Sequence, residues 1–181
     1  MMSKKKSKKN PSKILIMGLE NSGKTSIVLS LTRETNLLSY CSLRPTVGIN
    51  RVNFEEANAP FTIWDFGGQE QFRKEYLDNL DKHLVGMDKF IYVIDVQDIV
   101  KYELALKYLG EIVKLIDKIN NIFEFLIFLH KFDPGLEKQD NFSDNAISSL
   151  LINKIKNIIP VNIEYKIYKT SIYTIFRKSL V

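Results

Sequence analysis

This chain is poor in the residues that form disulfides and soft-metal sites. Its 181 residues include one cysteine, Cys41, and two histidines. A single cysteine excludes an intrachain disulfide and a cysteine-rich zinc site, and it agrees with a reducing compartment. A metal ion would therefore have to be bound by oxygen atoms. We expect a cytoplasmic protein.

Long hydrophobic runs are also lacking. The apolar run 123–129 is far shorter than the ~20 residues that span a bilayer, and the lysine-rich N-terminus lacks the apolar centre of a signal peptide. We expect neither an integral nor a secreted protein. The hydrophobic fraction of 45% and the charged fraction of 26% are ordinary for a globular domain, and a chain of this length suits one domain.

Acidic residues are absent from the first 13 positions, and this segment accounts for the net charge of +5. The remaining residues contain 20 basic and 21 acidic side chains. We therefore predict a disordered lysine-rich tail over residues 1–12, a folded domain over residues 13–181, and no specific nucleic-acid binding. Each tail lysine would contribute about 1 kcal/mol near an anionic membrane. The alternatives for the tail are a solvated extension and a weak attraction to an anionic membrane surface or to RNA.

Short apolar runs alternate with segments of helical periodicity. The runs predict six strands, at residues 14–17, 51–55, 60–64, 90–94, 125–129 and 163–168. Helical spacing predicts helices at residues 24–37, 105–119 and 146–155, among others. The second and third strands form an antiparallel hairpin across a short turn at Asn58. We predict an α/β fold with a doubly wound, mostly parallel six-stranded sheet, one antiparallel edge hairpin and about five helices, and ligand-binding loops at the carboxyl ends of the strands.

A phosphate-binding motif follows the first strand and opens the first helix. Residues 18–25 read Gly-Leu-Glu-Asn-Ser-Gly-Lys-Thr and fit G-x-x-x-x-G-K-[ST] in the context that this motif requires. Its backbone N–H groups would surround phosphate oxygens, Lys24 would bridge the outer phosphates, and the Thr25 hydroxyl would hold Mg²⁺. The motif leaves guanine and adenine open. The predicted nucleotide contacts in this segment are Glu20, Asn21, Ser22, Gly23, Lys24, Thr25 and Ser26.

A second polar run begins at the end of the third strand. Residues 64–70 read Trp-Asp-Phe-Gly-Gly-Gln-Glu, which places Asp65 beside the phosphate loop. Asp65 could hold a magnesium-bound water, the Gly68 N–H could reach a terminal phosphate, and Gln69 could orient an attacking water. Upstream, Thr46 offers a hydroxyl in a polar stretch long enough to close over a nucleotide.

These motifs carry a family resemblance. Residues 18–26 and 45–50 resemble the phosphate loop and first switch of Arf proteins, and residues 64–70 resemble the second switch of Arf and Rag proteins. His130-Lys131-Phe132-Asp133 is similar to the base-reading N-K-x-D element in its Rag form, with histidine first. Thr170-Ser171-Ile172 resembles the Rag form of the last guanine loop. Over residues 13–178 the chain resembles a Ras-superfamily small GTPase, the G domain of a P-loop NTPase, between the Arf-like and Rag-like families.

The resemblance implies a guanine site. In the family the aspartate at the position of Asp133 accepts from guanine N1 and N2, the lysine stem at Lys131 covers the ring face, and the N–H at Ile172 reaches O6. Ser171 and His130 belong to the same two loops. From its residue type alone, Asp133 has two readings: an acceptor for the donor pair of guanine, or a surface residue that starts a turn.

The function implied is a GTP/GDP switch with Mg²⁺, in which Thr25, Thr46 and Asp65 serve the metal and Gln69 serves slow hydrolysis. Effectors, exchange factors and GTPase-activating proteins would bind switch regions 41–50 and 65–82, and the protein would be a monomer or a nucleotide-dependent dimer. One alternative is a nucleotide-locked scaffold without turnover, which Glu20 and His130 would favour. Another is a small-molecule kinase, although residues 134–160 contain no arginine for a lid. His83 is predicted to be an exposed helix residue.

Overall fold

Six strands form one sheet in the computed structural model, which describes residues 11–32, 37–119 and 122–173. The strands are β1 (Ser12–Gly18), β2 (Ile49–Glu56), β3 (Ala59–Phe66), β4 (Lys89–Asp95), β5 (Glu124–His130) and β6 (Tyr165–Lys169). Their spatial order is β2-β3-β1-β4-β5-β6. Only β2 runs antiparallel to its neighbour, β3. The predicted fold class is confirmed.

Helices cover both faces of this sheet. In the described part of the chain they are α1 (Lys24–Leu31), α2 (Leu37–Cys41), α3 (Glu70–Asp78), α4 (Leu80–Leu84), α5 (Tyr102–Ile116), α6 (Asp144–Ile147) and α7 (Asn153–Ile158). A π-helical stretch, Ser148–Ile152, joins α6 to α7. None of the helices in these residues is long and apolar enough to cross a bilayer.

The two faces of β1 explain why its sequence reads as an unbroken apolar run. Leu15 and Met17 pack into the larger core beneath α5, whereas Ile14 and Ile16 pack into the smaller core beneath α1. A strand between two parallel neighbours is buried on both sides, so no position favours a polar residue. Each such side chain contributes about 1.5–3 kcal/mol through burial.

The edge hairpin is closed by a two-residue turn. Ala57 and Asn58 both adopt left-handed backbone conformations, with φ values of 49° and 62°. This is the pattern of a type I′ turn, whose twist matches that of the paired strands. Because β2 has polar and half-buried positions in alternation, the hairpin presents one face to solvent.

The first predicted helix, over residues 24–37, is wrong in its C-terminal boundary. Helix α1 ends at Leu31, where Thr32 caps it by donating from its hydroxyl and its N–H to the Leu29 carbonyl, at 2.9 and 3.2 Å. A threonine hydroxyl that bonds a carbonyl of the last turn in this way offers the backbone an alternative to further helical hydrogen bonds. Residues 33–36 lie outside the described residues.

The predicted helical position of His83 is confirmed, because it lies in α4, but the prediction that its side chain is exposed is wrong. Its ring is half-buried, with its centroid 5.9 Å from that of Trp64 and 5.3 Å from that of Phe66, in edge-on contacts. Burial lowers the pKa of His83, and the charges of Lys13 and Arg51 lower it further. The polar neighbours of His83 along the chain gave no sign that α4 folds back onto the sheet.

The domain boundaries stay a prediction. Residues 1–10 of the predicted lysine tail and residues 174–181 at the end of the predicted domain lie outside the described residues. Within the described part, Lys13 is anchored on the fold, because its ammonium donates to the His83 carbonyl at 2.7 Å and to the Val85 carbonyl at 2.9 Å.

Candidate functional site

The candidate site lies where the parallel strands end. The loop after β1 contains the phosphate motif, β3 ends at Phe66 just after Asp65, and the loops after β5 and β6 contain residues 130–133 and 170–172. The carboxyl ends of parallel strands lie at one edge of the sheet, so all four loops lie together. The topology therefore brings together the motifs that lie far apart in the sequence.

The phosphate loop turns sharply into α1. Asn21 has a left-handed φ of 58° and Gly23 a φ of 90°, and α1 begins at Lys24. Successive N–H groups and the helix N-terminus thus face the same space, which is the arrangement that binds phosphate oxygens. Ser22 is buried within the loop, and Ser26 lies in the first turn of the helix.

Lys24 is buried at the centre of the loop. Its ammonium donates to the Leu19 carbonyl at 2.6 Å and lies 3.4 Å from the Ser22 hydroxyl. Burial lowers the pKa of Lys24 to about 8, against the opposing effect of the carboxylates of Asp65 and Glu20. The side chain therefore stays mostly protonated at pH 7 and holds a positive charge where phosphates would lie.

Thr25, Thr46 and Asp65 meet beside Lys24, although 40 residues separate the first from the last. The Thr25 hydroxyl donates to Asp65 Oδ2 at 2.6 Å, the Thr46 hydroxyl lies 3.3 Å from the same oxygen, and the two hydroxyl oxygens are 3.0 Å apart. Burial raises the pKa of Asp65, while the Thr25 hydrogen bond and the Lys24 charge oppose that effect. All three predicted metal-binding residues thus share one location.

This trio suits a hard cation. Asp65 is fully buried, and within the described residues its Oδ1 atom has no hydrogen-bond partner. One carboxylate and two hydroxyls are the oxygen donors that Mg²⁺ accepts in nucleotide sites, where phosphates and water complete its coordination. Among the described residues, no group of three or more histidine, cysteine or acidic side chains is placed to hold a metal ion. The residues present therefore fit a magnesium ion bound together with a nucleotide.

The segment after β3 packs directly on the phosphate loop. The Glu20 N–H donates to the Gly68 carbonyl at 3.1 Å, and a Cβ atom on Gly68 would lie 2.2 Å from the Glu20 nitrogen. The Gly67 N–H donates to the Gly48 carbonyl at 2.9 Å, as does the Tyr76 hydroxyl at 2.8 Å. Only glycine at position 68 permits this close approach of the backbones. The two predicted switch regions thus contact each other and the phosphate loop.

A cavity of about 380 Å³ opens between these segments. Gln69, at the N-cap of α3, lines it together with Gly68 and the phosphate loop. Arg44 lines it as well, a residue that the sequence analysis did not assign to the site. The sequence signal that could have assigned Arg44 to the site is its position, two residues before Thr46 and within the predicted first switch.

Two basic residues compensate the carboxylate of Glu20. Lys101, at the start of α5, pairs with Glu20 Oε1 at 3.1 Å, and Arg73 of α3 is nearly buried nearby. Burial alone would raise the pKa of Glu20, but backbone hydrogen bonding and Lys101 outweigh it, so the pKa is lowered. Among the described residues, Glu20 Oε2 and Arg73 Nη1 are buried without hydrogen-bond partners. No local motif marks Lys101 or Arg73, and neither residue was predicted from the sequence.

The predicted base-reading residues lie together at the ends of β5 and β6. Asp133 Oδ1 accepts from the Ser171 hydroxyl, and Asp133 Oδ2 accepts from Gln97 Nε2 at 3.0 Å. Lys131 has a left-handed φ of 61°, and its ammonium pairs with Asp95 Oδ2 at 2.6 Å. Ile172 follows Ser171 and packs on the smaller core. Gln97 was not predicted.

His130 lies at the start of the base loop, as we call residues 130–133 at the end of β5, and it contacts the phosphate loop. Its ring lies against Gly23, where an added Cβ would be 2.4 Å from the ring carbon Cδ2, and its Nδ1 is 2.9 Å from the Thr170 hydroxyl. Burial lowers the pKa of His130, and the charge of Lys131 adds to the effect. A neutral imidazole therefore fills the space between the two loops.

Comparison with known proteins gives matches over most of the chain. The family described as the Gtr1/RagA G protein conserved region matches residues 13–177. ADP-ribosylation factor-like protein alp41 of Schizosaccharomyces pombe is 29% identical over 179 residues, 99% of this chain and 82% of that protein. ADP-ribosylation factor-like protein 5 of Caenorhabditis elegans is 36% identical over 86 residues, 48% of this chain and 44% of that protein. The chain thus spans less than half of the length of this second relative.

Solved structures share the fold. The Arl6 small GTPase from Trypanosoma brucei, with a bound nucleotide analogue GppNp, aligns with a TM-score of 0.62 and 20% identity over 90% of this chain and 87% of that one. The mammalian SRP receptor aligns with a TM-score of 0.63 and 14% identity over 88% and 90%.

Proposed function

Because this chain belongs to the Gtr1/RagA family of G proteins, as a Ras-superfamily small GTPase between the Arf-like and Rag-like types, we propose that it is a Mg²⁺-dependent GTP/GDP switch with slow intrinsic hydrolysis. The observation that supports this most directly is the meeting of Thr25, Thr46 and Asp65 beside Lys24. These residues come from three separate segments. Lys24, Thr25 and Thr46 line one cavity together with Gln69, and Asp65 is buried behind the two threonines.

The phosphates of the nucleotide would occupy this cavity. Lys24 would bind the outer phosphate oxygens, and the backbone of residues 21–26 would donate to the inner ones. Thr25, Thr46 and Asp65 would hold Mg²⁺, which supplies charge neutralisation between the β- and γ-phosphates when bound. Because Thr46 and Gly68 belong to separate loops that already touch, loss of the γ-phosphate would release both together.

Hydrolysis would use Gln69 to position the attacking water. The bond between the water oxygen and the γ-phosphorus forms as the bond to the GDP leaving oxygen breaks, so the required help is orientation and charge stabilisation. Arg44 lines the cavity. Lys101 pairs with Glu20, so the negative charge of this carboxylate in the phosphate loop is compensated. A partner that supplies a further arginine would accelerate the step by ~10³–10⁵.

Two features prompted the scaffold alternative, and each has an explanation that is compatible with turnover. Glu20 is paired with Lys101, and His130 connects the base loop to Gly23. Neither feature therefore favours a locked nucleotide, and we prefer the hydrolysing switch. Effectors, exchange factors and activating proteins would bind regions 41–50 and 65–82, where the switch segments lie. Whether the protein is a monomer or a nucleotide-dependent dimer, and whether residues 1–12 contact anionic membranes, stay predictions.

Asp133→Asn should transfer nucleotide preference from GDP to XDP. Guanine presents two donors to a carboxylate, whereas xanthine presents an acceptor that an asparagine amide can match. A buried polar mismatch costs about 1–3 kcal/mol, roughly a 5- to 150-fold change in affinity in each direction. Competition titrations with GDP, XDP and ADP test the guanine assignment. Equal affinity of the wild type for GDP and ADP would remove that assignment.

Thr25→Asn should make nucleotide release insensitive to magnesium. The Thr25 hydroxyl lies 2.6 Å from Asp65 Oδ2, and a larger amide there would disturb the metal-binding trio without deleting the charge of Lys24. In the wild type, chelation of Mg²⁺ should speed GDP release strongly, and in the variant it should change little. Release rates of a fluorescent GDP analogue, with and without chelator, measure this difference. The same large acceleration in both proteins would place the metal elsewhere.

A further inference from the structure

We propose that Gln97 is a positioning residue for base specificity, since it fixes the carboxylate of Asp133 in the orientation that accepts both donors of guanine. The inference rests on the proposed guanine-nucleotide function and extends it to a loop without a nucleotide-binding motif. Gln97 follows β4 and precedes α5. Its side-chain nitrogen donates to Asp133 Oδ2 at 3.0 Å and to the Lys131 carbonyl at 2.7 Å.

The backbone of Gln97 is held at the base loop by its neighbours. Asp95 stands opposite His130 in the β4–β5 register, and the Val96 N–H donates to the His130 carbonyl at 3.0 Å, one residue beyond the strand. The Gln97 N–H donates to Asp95 Oδ1 at 2.9 Å, while Asp95 Oδ2 pairs with Lys131. The two loops are therefore joined by backbone, by an ion pair and by the Gln97 amide.

The two acceptors fix the orientation of the amide. A carbonyl and a carboxylate oxygen both require a donor, and the Nε2 group of glutamine has two N–H bonds, one for each. The opposite orientation would place Oε1 against two acceptors. Both donors of Gln97 are thus directed at the base loop, one of them onto the backbone of Lys131, whose left-handed φ of 61° is uncommon for a residue with a side chain.

Both oxygens of Asp133 are consequently held from outside the base loop. Gln97 donates to Oδ2 and the Ser171 hydroxyl donates to Oδ1. Each carboxylate oxygen has two lone-pair directions, so one protein donor on each leaves one direction on each for a ligand. Guanine needs this pair of parallel acceptors for its N1–H and its 2-amino group. Because the protein donors are neutral amide and hydroxyl groups, they fix the carboxylate plane without cancelling its charge.

This arrangement predicts that Gln97→Ala lowers the affinity for GDP more than the affinity for IDP or ADP. In Gln97→Ala the carboxylate keeps only Ser171, so it can rotate away from the two-donor geometry. Affinity for GDP should fall about 10-fold, the size of a hydrogen bond to a charged group. Affinity for IDP should fall less, because hypoxanthine lacks the 2-amino group and uses one oxygen of Asp133. Affinity for ADP should not change, because adenine lacks the N1–H and 2-amino donors that read Asp133.

Gln97→Glu separates a positioning role from a packing role. The substituted side chain is nearly isosteric, but it offers no donor and places a second carboxylate next to Asp133. We expect a larger loss of GDP affinity than in Gln97→Ala, and a loss that shrinks as salt concentration rises, because the two exposed charges are screened. A side chain that only filled space would tolerate this change and show no salt dependence.

Competition titrations of GDP, IDP and ADP against a fluorescent GDP analogue carry out the test. Val100→Ala, at an exposed position of the same loop, is the matched control and should leave all three affinities unchanged. Unchanged or increased GDP affinity in Gln97→Ala overturns the inference, as does an equal loss for GDP, IDP and ADP. A wild type that does not prefer GDP over ADP would instead overturn the proposed guanine function.

Discussion

Replacing Lys24 with alanine is expected to lower the affinity for GDP and GTP by about 2–5 kcal/mol, or between roughly 30-fold and several thousand-fold. Lys24 is 5% exposed, and burial lowers its pKa to about 8, so its ammonium is charged at pH 7 and shielded from water. A charge in such a position interacts strongly with phosphates. Its removal would also take away the positive charge that opposes the raised pKa of Asp65.

Isothermal titration of GDP into wild type and Lys24→Ala measures this loss. Lys107→Ala is the matched control, since it makes the same chemical change at an exposed position of α5. Its affinity should equal that of the wild type. If Lys24→Ala bound GDP within a factor of two of Lys107→Ala, the phosphates would not lie at residues 18–25, and the site would have to be assigned elsewhere.

Most of the sheet could be predicted because its strands are defined by local patterns. Ile14 to Met17 and Phe90 to Ile94 are unbroken apolar runs, since parallel strands in the middle of a sheet are buried on both faces. The hairpin of β2 and β3 shows alternation and a turn at Asn58. Each signal depends on residues close in sequence, so no knowledge of the tertiary contacts was needed.

The site residues that were not predicted from the sequence act through contacts with residues that are distant in sequence. Lys101 reaches Glu20 from a separate element, and Gln97 reaches Asp133 across 36 positions. Neither residue type nor spacing distinguishes them from ordinary surface residues. His83 is a further example. Its polar neighbours in the sequence suggested an exposed side chain, but Trp64 and Phe66, which are distant in sequence, cover part of its ring.

His130 illustrates how the structure explains a residue at which the sequence departs from the N-K-x-D pattern. The sequence showed only that histidine stands where the base-reading motif has asparagine. In the fold, the ring contacts Gly23 and its Nδ1 lies 2.9 Å from the Thr170 hydroxyl, so one side chain touches three of the loops. The larger ring thus contacts the phosphate loop by packing on Gly23, and its hydrogen bond to Thr170 connects it to the loop after β6.

Gln69→Leu is expected to retain GTP binding and to lose most hydrolysis. Leucine has a similar volume, so the cavity wall beside Gly68 should be preserved, but it has no group that hydrogen-bonds a water. Loss of water orientation should slow the chemical step by roughly 100-fold, the effect of misplacing a reacting group. The affinity for a non-hydrolysable GTP analogue should stay within a factor of two, because Lys24, Thr25, Thr46 and Asp65 are unchanged.

Single-turnover hydrolysis with preloaded GTP makes the measurement free of nucleotide exchange. Gln139→Leu, the same substitution at an exposed position after β5, is the control and should hydrolyse GTP at the wild-type rate. The switch and the scaffold differ in the wild-type curve: a switch has a slow, measurable rate that Gln69→Leu abolishes, whereas a locked scaffold has almost no rate to lose. Identical curves with a measurable rate would mean that Gln69 has no part in the reaction, and two curves without measurable hydrolysis would replace the switch by the scaffold.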